Sequence, residues 1–289
     1  MKTKLLYSFF VFLFFVLFSC KNKSEKEIIT SSYSDINKLN INLSKNIQKL
    51  DVSKSATYVK YNLTLPIEIF NVLDESSNDF EILNSTKNIN KYEETIFKSF
   101  NLGVYSADLA YSVQFNSSQY FTNYFDAVKQ LSSDLDISQV FTYLLINRIS
   151  FNRDNSDSLK IIADEIYNKT CNILEESERI NILPFIIAGA WVESMYILTQ
   201  TAENEKTEDL FVEILNQRKS VDYIINYMND IMAEGTEFKQ NKNIFELIKS
   251  FEEIKNIYDL SDSDSSETIT NEQFTELKNK IEQIRKLYI

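Results

Sequence analysis

Two segments of the sequence place a carboxylate among small and aromatic residues, where it could bind a polar ligand or act as an acid or base. In the first segment Asp108 lies three residues after Tyr105 and three residues before Tyr111. On a helix, this spacing puts the carboxylate on one broad face between two phenol groups. Carboxylates and phenols that converge in this way favour a pocket for a small polar molecule or a sugar.

The second segment runs from Ile186 to Ile197 and contains the only tryptophan of the chain, Trp191. Gly189 and Glu193 are four residues apart, so on a helix they lie on the same face. The small residues around Gly189 predict a close contact with another helix, with Glu193 in or beside it. A carboxylate buried there needs a partner or a shifted pKa, and we predict Arg148 or Arg153 as that partner.

These segments allow two interpretations. In the functional interpretation, the two carboxylates and their aromatic neighbours line one pocket. In the structural interpretation, the carboxylates bridge helices through arginine and tyrosine and hold the packing in register. The first also leaves open a glycan hydrolase of the cell envelope, which needs two carboxyl groups about 5 to 10 Å apart in an open cleft. The candidate pocket residues are Tyr105, Asp108, Tyr111, Trp191, Glu193 and Tyr196.

Most other kinds of catalytic site are excluded by composition. The chain has no histidine, which removes the commonest metal ligand and the nucleophile pairs that depend on an imidazole base. An acidic stretch from Asp259 to Thr268 lacks the glycine and the ligand spacing of a calcium loop, so we predict a solvated loop there. We therefore predict no catalytic residues, no metal and no cofactor, and a protein that is not an enzyme.

The first twenty residues predict export and a lipid anchor. Lys2 and Lys4 precede an apolar run that is shorter than the roughly 20 residues of a membrane-spanning helix. The run ends Leu17-Phe18-Ser19-Cys20, which resembles the signal of a bacterial lipoprotein. That resemblance implies removal of residues 1–19 and attachment of diacylglyceryl and fatty acyl groups such as palmitate to Cys20. Two or three acyl chains hold a protein stably on a membrane, whereas one chain does so only marginally.

The charge of the chain limits its partners. The formal net charge is −12, and removal of a signal with two lysines makes the exported chain more acidic still. Such a chain does not favour nucleic acid or an anionic bilayer surface. We therefore expect no nucleic-acid partner, and membrane contact through the lipid on Cys20 alone. With Cys20 acylated, Cys171 is the only thiol left, so no internal disulfide is possible.

The remainder of the chain predicts an all-α protein, an irregular multi-helix bundle or a short degenerate α-hairpin array with no substantial sheet. Three glycines and two prolines are too few for a fold rich in strands and tight turns. We expect a flexible tether over 20–33 and a single helical domain over 34–289. The last helix is the clearest, because Thr270 and Gln273 form a capping-box pattern before an apolar stripe. Helices are expected near 34–50, 67–73, 97–111, 120–131, 138–151, 156–176, 180–202, 205–216, 218–234, 241–258 and 271–288.

Over residues 58–289 the chain resembles a group of uncharacterised lipoproteins of Bacteroidetes-type bacteria. The resemblance lies in Phe100 to Tyr111, in Asp157 to Leu159 and above all in Ala188 to Gln200. Ser106 and Ser194 stand where the group's pattern has glycine. The resemblance implies an exported, lipid-anchored, all-helical protein without a known reaction. Lys21 after the cysteine implies the outer membrane, on either its periplasmic or its cell-surface face. We expect a non-enzymatic protein that binds an envelope protein or a small molecule, or a structural subunit of an envelope complex.

Overall fold

The structure is a computed structural model of the chain, and it describes residues 63–152, 155–233, 241–263 and 269–289. These residues lie in one compact unit. The signal, Cys20, the tether, the helix expected near 34–50 and Arg153 lie outside the described residues, so what was predicted for them stays a prediction.

The described part of the chain is built from α-helices and short 3₁₀ turns and contains no strand, which confirms the predicted all-α class. Pro66 begins the first helix and Pro184 lies in the first turn of α6, where a missing backbone N–H costs nothing. The helices are α1 (Pro66–Ile69), α2 (Thr95–Gln114), α3 (Ser118–Asp134), α4 (Tyr143–Phe151), α5 (Ser156–Glu176), α6 (Leu183–Glu205), α7 (Glu208–Asn216), α8 (Arg218–Ala233), α9 (Lys242–Ser263) and α10 (Asn271–Tyr288).

Helices α2 and α6 form the centre of the fold, and each carries one of the two segments with a carboxylate. Both helices bury residues almost all the way round, whereas α3 and α8 bury one face. The stretch Ile180–Glu205 is long and apolar enough to cross a membrane, but 78% of its apolar window is buried inside the fold. We therefore describe α6 as a core helix.

A pair of glycines lets α2 and α6 touch backbone to backbone. A Cβ placed on Gly103 would lie 1.9 Å from the carbonyl oxygen of Ile186, and one placed on Gly189 would lie 1.8 Å from that of Phe100. No side chain fits at either position. The close helix contact predicted from the small residues around Gly189 is therefore present, and its partner is the segment that carries Asp108.

The last helix packs as predicted. Thr270 Oγ1 accepts a hydrogen bond from the Gln273 backbone N–H at 3.2 Å, and Gln273 Oε1 accepts one from the Thr270 N–H at 2.9 Å. This is the predicted capping box. The buried face of α10 lies against α6 and α9 and is formed by Phe274, Leu277, Ile281, Ile284 and Tyr288.

The predicted loop from Asp259 onward is wrong at its beginning, because α9 continues to Ser263. Asp259 is not simply solvated, since its Oδ1 accepts a hydrogen bond from Arg218 Nη2 of α8 at 2.8 Å. Ile257 and Tyr258, which directly precede it, are buried in the core. A cross-helix ion pair and two anchored neighbours thus extend the helix into an acidic stretch whose composition alone indicated a loop.

Candidate functional site

The carboxylate of Glu193 forms a buried ion pair with Arg285 of the last helix. Arg285 Nε donates to Glu193 Oε2 at 2.7 Å, and Arg285 Nη2 donates to Glu193 Oε1 at 2.9 Å. Glu193 is fully buried, and the Arg285 side chain is 18% exposed. This two-point geometry is the strongest form of carboxylate recognition by arginine. It joins α10 to the central helix α6.

Two further contacts fix the guanidinium. Arg285 Nη2 also donates to the backbone carbonyl of Ile82 at 3.1 Å, and the guanidinium carbon lies 3.9 Å from the centre of the Tyr196 ring. Tyr196 is three residues after Glu193, so one face of α6 presents both the anion and the ring. Burial alone lowers the pKa of Arg285, but the charge and hydrogen bonds of Glu193 raise it more, and the net direction is upward.

Asp108 lies in the same electrostatic cluster, and it is fully buried on α2. Neither of its carboxyl oxygens has a hydrogen-bond partner at ordinary geometry among the described residues. Burial raises the pKa of Asp108 well above its usual range, the charge of Glu193 raises it further, and Arg285 offsets only part of the increase. Arg285 already pairs with Glu193, so Asp108 holds a proton more readily than an exposed aspartate.

The two tyrosines of the first segment hold the irregular chain between α1 and α2. Tyr105 donates its hydroxyl hydrogen to the carbonyl of Ser85 at 3.0 Å, and Tyr111 donates to the carbonyl of Ser77 at 3.1 Å. The Tyr111 oxygen also accepts from the Asp79 N–H at 2.9 Å. Burial raises the pKa of Tyr111 to about 12 and that of Tyr105 still further. Both phenols thus stay protonated and act as structural hydrogen-bond donors.

These contacts favour the structural interpretation of the carboxylates. The hydrolase alternative requires an open cleft, and both side chains are fully buried, so this pair gives it no support. The predicted partner Arg148 is wrong, because Arg148 Nη1 instead contacts Glu165 Oε2 at 2.5 Å. The only sequence signal for Arg285 as the partner of Glu193 is its position directly after Ile284, which belongs to the apolar stripe of α10.

One cavity of the described residues lies between α2 and α6, and α1, α4, α5 and α8 also contribute to its wall. Its volume is about 200 Å³. Of the six candidate pocket residues, only Trp191 belongs to its lining; the other five do not. The remaining wall carries no sequence signal that marks it as a site; it is largely aliphatic and includes Leu65, Ile67, Leu102, Leu109, Ala110, Val113, Ile149, Leu159, Ile162, Ala163, Ile166, Ile186, Ile187 and Ala190.

Trp191 is one of the polar side chains of this wall, which also include Thr64, Ser106, Tyr167, Thr170 and Ser220. Its ring is 4% exposed and lies 5.4 Å, centre to centre, from the ring of Phe251. Its indole nitrogen, Nε1, has no hydrogen-bond acceptor in the described part of the chain. Three hydroxyls of the wall are engaged, since those of Ser106 and Thr170 donate to the carbonyls of Leu102 and Ile166 in their own helices and that of Ser220 donates to Gln217 Oε1.

The described ranges contain no group of three or more histidine, cysteine, aspartate or glutamate side chains that could hold a metal ion. Comparison of the chain with protein-family models, with curated proteins and with solved structures gave no match. The resemblance to lipoproteins of unknown role therefore stays a prediction.

Proposed function

We propose that this protein is a lipid-anchored, non-enzymatic binding protein of the outer membrane whose helical bundle accepts an apolar ligand. The observation that carries the proposal is the cavity of about 200 Å³ between the two central helices. A dry cavity of about 150 Å³ lined by aliphatic side chains already binds benzene. The cavity of this protein is therefore large enough for a short hydrocarbon chain or a ring.

The chemistry of the wall sets the class of ligand. No charged side chain lies in the described lining, and of its hydroxyls those of Ser106, Thr170 and Ser220 already donate to nearby groups of the protein. Each methylene moved from water into such a site contributes about 0.8 kcal/mol. A sugar would bring several hydroxyls to a wall that offers few partners, and burying each one unpaired is costly. An apolar ligand thus fits better than the small polar ligand expected from the sequence.

Two helices of the cavity wall also expose apolar side chains. Leu144 and Phe151 of α4 and Ile161 of α5 are each at least half exposed, and these helices also contribute Ile149 and Ile162 to the cavity wall. Exposed apolar side chains on helices that also line a cavity are typical of a surface that contacts an apolar ligand or partner. A purely structural envelope subunit, the alternative that remains, has no need of the cavity.

The cavity is tested by filling it. Ala163→Phe places a ring in the space, so we expect the affinity for the neutral dye N-phenyl-1-naphthylamine to fall at least about tenfold, a loss of about 1.4 kcal/mol. Ala233→Phe adds the same ring at an exposed position of α8 and is expected to bind like the unmodified protein. Dye fluorescence in a titration measures both. Ala110→Leu is the second filling variant if Ala163→Phe does not fold.

Unchanged dye affinity in a folded filling variant contradicts the proposal. A loss of affinity that Ala233→Phe shares also contradicts it, because the dye would then be binding elsewhere on the surface.

The prediction of a lipid anchor is tested separately, because it depends on the signal sequence and not on the fold. In cells fed a labelled fatty acid, we expect the label on the unmodified protein and none on Cys20→Ala, because the thiol of Cys20 is the predicted attachment point. Cys171→Ala is the matched control and is expected to keep the label, since Cys171 is buried in the core. Label retained on Cys20→Ala would refute lipid attachment at this residue.

A further inference from the structure

We propose that the ligand of the cavity is a single-chain amphiphile whose uncharged, hydroxylated head group binds in a second, polar pocket beside the cavity. This inference rests on the proposed function, because the hydrocarbon chain of the same ligand occupies the cavity. It adds a binding site outside the cavity and specifies the class of head group that this site accepts.

The polar pocket is formed by the end of α2, the beginning of α3 and the last turn of α4, and its volume is about 290 Å³. Two of its lining residues, Val113 and Ile149, also line the cavity. Both are aliphatic, and each is 8% exposed. The polar pocket and the apolar cavity therefore meet at these two side chains.

The lining of the polar pocket carries hydrogen-bonding groups and no charge. Apart from Val113, Phe121 and Ile149, its described members are Ser112, Asn116, Ser117, Ser118, Thr122 and Ser150. Hydroxyl and amide side chains of this kind can both donate and accept hydrogen bonds. No described lysine or arginine lines either space, and the formal net charge of −12 disfavours anions. An uncharged polyol, such as glycerol or a sugar, thus matches this lining better than a phosphate or carboxylate.

Two hydroxyls of the polar pocket favour a ligand that brings its own donors. The exposed Thr122 Oγ1 donates to the carbonyl of Ser118 at 3.0 Å, so its one donor is used while its oxygen can still accept. Ser117, directly before α3, accepts no hydrogen bond from the backbone of that helix. The hydroxyls of a polyol can donate to such oxygens, whereas an ether or ester alone cannot.

The sizes of the two spaces support one ligand that fills both. The cavity alone, at about 200 Å³, is smaller than the roughly 300–1,000 Å³ that is usual for small-molecule sites. With the adjoining pocket of about 290 Å³, the site lies within that range. A pure hydrocarbon would use only the cavity, and a free polyol would use only the pocket. An amphiphile matches the chemistry of both linings.

The decisive experiment compares three probes that share one acyl chain, namely 1-octanoylglycerol, methyl octanoate and octanoate. It uses Cys20→Ala protein, which lacks the predicted lipid that could compete, and measures affinities by displacement of N-phenyl-1-naphthylamine. We expect 1-octanoylglycerol to bind at least about fivefold more tightly than methyl octanoate, as one net hydrogen bond gives. Octanoate is expected to bind most weakly, because neither described lining offers a cation.

Thr122→Phe places a ring in the polar pocket, and Thr122 does not belong to the cavity wall. We expect this variant to lose the advantage of 1-octanoylglycerol over methyl octanoate and to keep its affinity for the dye. Thr275→Phe is the matched control and is expected to keep the advantage. Thr275 is also an exposed helical residue, and its hydroxyl likewise donates to the carbonyl four residues earlier.

Equal binding of the glycerol and methyl esters overturns this inference and leaves the proposed function intact. An advantage that persists in folded Thr122→Phe, or that Thr275→Phe also loses, overturns it as well, and so does tighter binding of octanoate than of the glycerol ester. Failure of all three probes and of the dye to bind overturns the proposed function itself. If Thr122→Phe does not fold, nuclear Overhauser effects between the glycerol protons and the Thr122 methyl group decide the matter, since their absence contradicts the polar pocket.

Discussion

Arg285→Met is expected to lower the free energy of unfolding by about 3–5 kcal/mol, because it leaves the Glu193 carboxylate buried without its cation. Arg285 makes both hydrogen bonds to that carboxylate, and it also bonds the Ile82 carbonyl and covers the Tyr196 ring. A methionine replaces much of the packing volume but none of these polar contacts. Urea denaturation followed by circular dichroism measures the loss.

The double variant Glu193→Gln with Arg285→Met separates charge from packing. Removing both charges removes the desolvation penalty of the lone carboxylate. The double variant is therefore expected to be more stable than Arg285→Met alone. Lys242→Met is the matched surface control, since Lys242 pairs with Glu246 at 3.4 Å while largely exposed, and no measurable loss is expected there. An equal loss at Lys242 and Arg285, or a double variant no better than Arg285→Met, contradicts the role given to the buried pair.

Asp108→Asn is a second variant in the same cluster. Above about pH 4 we expect it to raise the free energy of unfolding, whereas Arg285→Met lowers it. The pKa of Asp108 is raised in the folded state, mainly by burial. The folded chain therefore holds a proton that the unfolded chain releases above about pH 3.9, and stability falls as pH rises toward the folded pKa. Each pH unit in that window costs about 1.4 kcal/mol. Asparagine mimics the protonated acid, so its advantage over aspartate should grow with pH and be absent below about pH 4.

The sequence predicts the helices of this protein well because their signals are local. The capping box at Thr270, the apolar stripe that ends at Tyr288 and the helix from Ser156 to Glu176 each appear in the structure as expected. The contact at Gly189 was predicted for the same reason, since small residues on a helix face favour close approach. The predicted loop at Asp259 was wrong, because Asp259 pairs there with Arg218, which is distant in the sequence.

The arrangement of the candidate site could not be predicted because it depends on pairs far apart in the chain. Glu193 and Arg285 are 92 residues apart, and several other cations were equally plausible partners. Tyr105 and Tyr111 carry the composition of a pocket, yet they bond backbone carbonyls of the chain between α1 and α2. The cavity arises because the aliphatic faces of several helices do not fill the space between them. No residue type in the sequence indicates where such a gap will form.

The contact between the two glycines carries the second large expectation. Gly103→Ala and Gly189→Ala should each lower the free energy of unfolding by about 3 kcal/mol or more, at or above the upper end of ordinary overpacking. The added Cβ would meet the carbonyl oxygen of Ile186 at 1.9 Å or that of Phe100 at 1.8 Å. The obstacle is backbone, so α2 and α6 have to move apart, and the contacts between them weaken together.

The direction of the change in stability shows whether the two glycines are constrained. In an unconstrained helix interior alanine is more favourable than glycine by about 0.5–1 kcal/mol, so a loss of stability indicates a steric conflict. Ser133→Ala, at an exposed position of α3, is the control and should change stability by less than about 0.5 kcal/mol. A further variant, Ala190→Gly added to Gly103→Ala, should not restore stability, since the nearby atom of Ala190 is its backbone nitrogen. Rescue by that change would mean that the helices meet through side chains. Failure to rescue, with thermal unfolding as the measurement, identifies the backbone contact as the feature that sets the spacing of α2 and α6 and, with it, the width of the cavity between them.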